Sequence, residues 1–234
     1  MELMKMKQLI TKRLVAFAAG LAMVAMTARD SNAGVAYSQY EYSAVTNLVT
    51  SMEGNVVTFD NFSLGKQTEI DGAAWLGAYF ENGTGDLLID MADSFTVSVY
   101  GNAGGVPGAL LESQTLGLGM YSEVSGGPVG APGYSDYFGY GAALNPFRLD
   151  AGDYWFSVTA NIPSPAPVSD DTYWLWGSGV GDSDMDGVSF STANGIETED
   201  QIFALSGNVV PEPSSLAIVA VGGLFLTRRR KRSN

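Results

Sequence analysis

The sequence predicts an all-β protein, a single β-sandwich or jelly-roll domain carried between two targeting segments. Three observations predict it. Polar and apolar residues alternate with period two in several short runs, the mark of strands with one buried face. Clusters of Gly, Pro, Asn and Asp separate those runs at short intervals, as turns do. No part of the body repeats apolar residues at the i, i+3, i+4 spacing of an amphipathic helix.

Taken in order, residues 56–62 alternate, and residues 70–80 place Trp75, Tyr79 and Phe80 among small residues. Residues 94–100 are the cleanest case, with Phe95, Val97 and Val99 on one face and Ser94, Thr96 and Ser98 on the other. The Gly- and Pro-rich stretch 102–108 breaks the pattern, and residues 109–116 resume it. A long Gly/Pro-rich loop is expected over 117–133, followed by strands at 134–144, 147–149 and 154–159. Shorter runs at 173–176, 188–191 and 202–205 close the set. Roughly nine or ten short strands without helices argue for a sandwich or jelly roll. One domain is expected, spanning residues 34–208, with no internal repeat.

The N-terminus reads as export machinery. Lys5, Lys7, Lys12 and Arg13 precede an apolar stretch at 14–26, and Ser31-Asn32-Ala33 supplies small residues before a cut. These are the three regions of a secretory signal peptide, delivered to the Sec translocon. Residues 1–33 are therefore read as a signal-peptide helix cut after Ala33, with a cut after Met26-Thr27-Ala28 as the alternative.

Setting the basic ends aside changes the charge argument. The whole chain carries −13. Between Gly34 and Val210, however, Lys66 and Arg148 are the two bases against 22 acids, a net −20. Phosphate neutralisation needs a basic face, so nucleic acid is excluded as a partner. The chain has no Cys and no His, which excludes disulfides, the usual zinc sites and any His-based catalytic triad. A body of this size buries enough core to stand without such staples. No cofactor is expected, and a metal would need oxygen ligands, which points to Ca²⁺.

The C-terminal segment, residues 209–232, has three parts in a fixed order. Pro211, Glu212 and Pro213 come first, then an uncharged apolar run at 216–226, then Arg228, Arg229, Arg230, Lys231 and Arg232. Five cations are costly to move through hydrocarbon, so the cluster acts as a membrane stop. As a helix the run would reach about 16–21 Å, short of the roughly 30 Å hydrocarbon core. Snorkelling arginines and local thinning make up part of the difference. A buried core helix is the competing reading. It leaves the two prolines before the run and the five bases after it unexplained.

On those residues the segment resembles the PEP-CTERM sorting signal of exported bacterial proteins. The resemblance implies recognition by an exosortase, a membrane-embedded cysteine protease. The chain would be held transiently in the inner membrane by its C-terminal hydrophobic helix, then released or transferred to the cell surface. Residues 93–111, with a strand ending in Tyr100 and a turn at Val106-Pro107-Gly108, are similar to a unit of other exported proteins carrying this signal. Residues 149–158 with 173–178 resemble the later half of that domain. This second resemblance implies a sandwich and no activity.

Three constellations in the body are candidates for chemistry. Asp182-Ser183-Asp184-Met185-Asp186-Gly187 reproduces the first half of a calcium loop, with carboxylates at alternate positions and Gly at the sharp turn. Ala193 then stands where the bidentate Glu belongs, so an acidic surface turn is the favoured reading of Asp182, Asp184 and Asp186. Trp174 and Trp176 share one face and would stack sugar rings if exposed, whereas large aromatics more often fill a sandwich core. The pairs Asp170/Asp171 and Glu197/Glu199 suit a glycosidase, but chance adjacency explains them in so acidic a domain. The resulting expectation is an exported, non-enzymatic structural or adhesive component of the cell surface or extracellular matrix, associated with extracellular polysaccharide. A glycan-binding module and a secreted hydrolase are the alternatives.

Overall fold

The computed structural model describes residues 34–39, 45–52, 56–81, 91–128, 134–163, 172–179 and 188–211. Among these residues all regular structure is strand. The strands are β1 (Gly34–Ser38), β2 (Val45–Thr50), β3 (Thr58–Leu64), β4 (Thr68–Glu81), β5 (Ser94–Asn102), β6 (Pro107–Gly117) and β7 (Tyr121–Pro128). They continue with β8 (Tyr134–Leu149), β9 (Gly152–Asn161), β10 (Thr172–Gly179), β11 (Ser189–Ser191), β12 (Gly195–Glu197), β13 (Asp200–Gln201) and β14 (Phe203–Val209). The signal-peptide helix and the C-terminal hydrophobic helix expected from the sequence lie outside the described residues.

Two antiparallel sheets result. The larger has eight strands and is organised by β4. One edge of β4 pairs with β8 along most of its length. Its other edge pairs with β14 over its first half and with β10 over its second. The outer strands β1, β2, β7 and β13 extend that framework. The smaller sheet runs β12-β11-β3-β9-β5-β6.

The alternation seen in the sequence decides how the sheets meet. Phe95, Val97 and Val99 of β5 are buried, as are Phe156, Val158 and Ala160 of β9. They pack against Trp75, Tyr140, Trp174, Trp176 and Phe203 of the larger sheet in one continuous core. Phe95 lies 5.4 Å from Trp75, 4.8 Å from Tyr140 and 5.1 Å from both Tyr121 and Trp174, between ring centroids. A second cluster forms where Phe156 stacks on Phe203 at 4.6 Å with Trp176 beside it at 5.9 Å.

Two expectations need correction. The loop expected over 117–133 contains β7, which pairs with β8 from Tyr121 opposite Ala142 to Pro128 opposite Asp136. The break expected after residue 144 is absent, because β8 continues to Leu149. Pro146 falls where the register with β4 shifts between Ile70 and Gly72, and a bulge is where a sheet tolerates proline. Gln114 secures this irregularity from the smaller sheet. Its side-chain amide donates to Asn145 O and accepts from Asn145 N, each at 2.8 Å.

Glycine is required at 77 because of close packing. A Cβ there would press into the Trp174 indole and come within 2.8 Å of Leu175 O. Neither a buried ring nor a paired strand backbone yields cheaply. Gly77→Ala should destabilise the fold by about 1–3 kcal/mol, read as a lower urea midpoint with an unchanged slope. An unchanged midpoint would show that β4 and β10 approach less closely than described.

Candidate functional site

The tail leaves the fold from an inner strand of the larger sheet, next to its edge. β14 lies between β1 and β4, and its last residue, Val209, pairs with Thr68. Val210 then donates its N–H to Gln67 O at 2.9 Å. Pro211 follows, exposed and without an N–H to continue the ladder. The receiving turn is itself braced. Gln67 Nε2 donates to Asp150 Oδ1 at 2.6 Å, and Thr68 Oγ1 donates to Lys66 O at 3.0 Å. Pro211 is thus one residue from a rigid sheet, while Glu212, Pro213 and the cluster Arg228 to Arg232 lie outside the described residues.

The aromatic candidates are placed in the interior. Trp174 and Trp176 are both 0% exposed, so the glycan-stacking expectation for them is corrected. Their shared face is the inner face of the larger sheet, where they contact Phe95 and Phe156. Trp176 Nε1 donates to Ile202 O at 3.1 Å. Trp75 and Trp155 are buried as well. Trp174 and Trp176 do share a face, as the alternation predicts, and the smaller sheet packed against it is what makes it the inner one.

The core also holds polar groups. Tyr79 and Tyr140 are buried, and Tyr79 Oη accepts from Ala92 N at 3.4 Å. Burial, reinforced by the Glu123 carboxylate, pushes the Tyr79 phenol well above its ordinary 10.0. Burial pushes Tyr140 the same way, with Tyr79 and Glu123 adding to it. At the far end of the core, buried Asp60 accepts through Oδ2 from Gln201 N. With the Gln39 amide turned to suit its neighbours, its nitrogen donates to Asp60 Oδ2 at 3.0 Å and to Gln201 O at 3.2 Å. The sequence did carry a signal here, since Asp60 keeps phase with core residue Phe62 along β3.

Glu197 and Glu199 border an open groove of about 530 Å³ between β2 and the β12 region, lined also by Leu48, Val49, Asn194 and Ile196. Each carboxylate has a neighbour. Asn194 Nδ2 donates to Glu197 Oε1 at 2.8 Å, and Ser178 Oγ donates to Glu199 Oε2 at 3.2 Å. Among the described residues no three carboxylates converge as a metal site would need. Asp182, Asp184, Asp186, Asp170 and Asp171 lie outside those residues.

Comparison with protein families matches residues 209–232 to the PEP-CTERM protein-sorting motif. The motif implies an exported protein, held transiently in the membrane and processed by an exosortase. A comparison with curated proteins found no match to the chain.

Two outcomes are expected. Trp176→Ala should cost about 3–5 kcal/mol of stability, and the emission of the folded protein should stay blue-shifted and unmoved by added polysaccharide. A red-shifted or saccharide-sensitive emission would contradict the buried placement. The second concerns pH. Both phenols stay protonated in the fold but titrate near 10.0 when unfolded. Their stabilising contribution is complete below about pH 10 and declines as pH rises beyond it. Denaturation midpoints should fall above that pH, and less steeply in Tyr140→Phe; equal slopes in the two proteins would refute the assignment.

Proposed function

We propose that this chain is an exported structural or adhesive component of the cell surface or extracellular matrix, delivered there after an exosortase has acted on its tail. One observation carries the reading. A sorting motif at 209–232 follows β14, the last strand among the described residues, without a spacer, so the folded body is its cargo. The body is proposed to be a single β-sandwich that works as a rigid, acidic module without enzymatic activity. Its closely packed aromatic core and the side-chain partners of Glu197 and Glu199 support that reading. The glycan-binding alternative loses its stacking rings, because all four tryptophans are buried.

The test is intact mass of the protein recovered from the medium and the cell envelope. Wild-type chains should begin at Gly34 and end near Pro213. Chains with Pro211, Glu212 and Pro213 replaced by alanine should be exported yet keep Arg232 and stay in the inner membrane. Normal trimming of the triple variant, or wild-type chains that retain Arg232, would overturn the proposal.

A further inference from the structure

The end of the body from which the tail departs differs from the rest of its surface. The β3–β4 turn, the β8–β9 turn, the β5–β6 loop and the start of β1 all lie there with the end of β14. Leu64 pairs with Gly152, Gly101 with Tyr154, Thr68 with both Leu149 and Val209, and Gly34 with Gly207. Both cations of the body fall at this end. Lys66 is exposed on the β3–β4 turn, and Arg148 pairs with Glu69 at 2.7 Å. Glu69, Asp71, Asp150 and Asp153 are the acids close by, the last three bonded to Ser206, Gln67 and Ser63. The body has no third cation to offset its other eighteen acids. The β5–β6 loop at 103–106 carries no charge, Leu110 and Leu111 are exposed on β6 just after it, and Val35 and Val209 are exposed on β1 and β14.

Covalent reach fixes how far this end can stand from a bilayer. Val210 is hydrogen bonded to the sheet, and Leu216, where the apolar run begins, is six residues further on. Six residues span roughly 20 Å at most, in any conformation. A headgroup layer is itself about 5–8 Å thick on each side. An anionic surface also repels the acidic remainder of the body and attracts basic residues within a Debye length.

We propose that, while the tail is in the membrane, this end of the body rests on anionic phospholipid headgroups with Lys66 as its charged contact. The proposal rests on the sorting reading above. It adds an orientation: the β11–β12 turn, at the opposite end of β3, points away from the membrane.

The absence of cysteine makes the test direct. Single cysteines are placed by Gly65→Cys, where an added side chain meets open space, and by Ala193→Cys on the exposed β11–β12 turn. Each full-length chain is labelled with a fluorophore and reconstituted into phosphatidylcholine–phosphatidylglycerol vesicles containing a headgroup-attached quencher. The label at 65 should be quenched several-fold more than the label at 193. Lys66→Glu should reduce the close-contact population about fivefold or more in anionic vesicles, and leave it unchanged in neutral ones. A flexible spacer inserted between Val210 and Pro211 should bring the two labels together in quenching. Equal quenching without the spacer, or indifference to Lys66→Glu, overturns the proposal while leaving sorting intact. Chains that fail to float with vesicles at all remove the membrane reading of the tail, and this proposal with it.

Discussion

The contact between Phe95 and four rings of the opposite sheet is what the rest of the body depends on. Phe95 belongs to the smaller sheet, and Trp75, Tyr121, Tyr140 and Trp174 come from four strands of the larger one. One side chain therefore sets the spacing and rotation of two layers. Edge-to-face geometry makes such a hub directional, in addition to the apolar area it removes from water. Rings this large need small neighbours, and β4 supplies Gly72, Ala73, Ala74, Gly77 and Ala78 along its length. The approach of β10 to β4, the inward turn of Trp174 and the need for glycine at 77 all follow from that packing.

The other face of the smaller sheet obeys different chemistry. Thr96 and Thr115 hydroxyls lie 3.3 Å apart, and Ser98 and Ser113 hydroxyls 3.0 Å apart. Asn161 Nδ2 donates to both Ser94 and Thr96. Cross-strand hydroxyl pairs of this kind hold register between β5 and β6, while the same face also carries Trp155 and the rings of Phe59, Tyr100 and Phe190. Inside, the polar groups include the phenols around Tyr79, the Asp60 cluster and Ser51, whose hydroxyl donates to Val158 O. A misplaced register would bury these groups without partners, which opposes slippage.

How much of this was legible depended on contrast. β5 could be read because Phe95, Val97 and Val99 alternate with hydroxyl residues, and each set found the face its chemistry demands. β7 was missed because Tyr121-Ser122-Glu123-Val124-Ser125-Gly126-Gly127-Pro128 has two apolar residues among glycine and polar groups; its strand character comes from pairing with β8. β1, with one aromatic residue in Gly34–Ser38, owes its place likewise to its partner β14. Pro146 looked like a boundary, since a proline fits a long strand only where a bulge excuses its missing N–H. At the candidate site, the sorting residues were legible from the order of their chemistry along the chain. Trp174 and Trp176 were legible as a pair on one face, while their burial required the second sheet. The clamp of Val210 on Gln67 joins residues far apart in sequence, and no local pattern records it.

Placing the tail on β14 also has a mechanical meaning. β14 is bonded on both sides, to β1 and to β4. A load drawn through the tail runs along the strand, so the hydrogen bonds to both neighbours are sheared together instead of being peeled one at a time. β1, the first strand among the described residues, begins beside the exit of β14. Tension drawn through the tail is therefore met first by β4, which pairs with Asn208 and Val209, and then by β1 and β4 together from Gly207 inward.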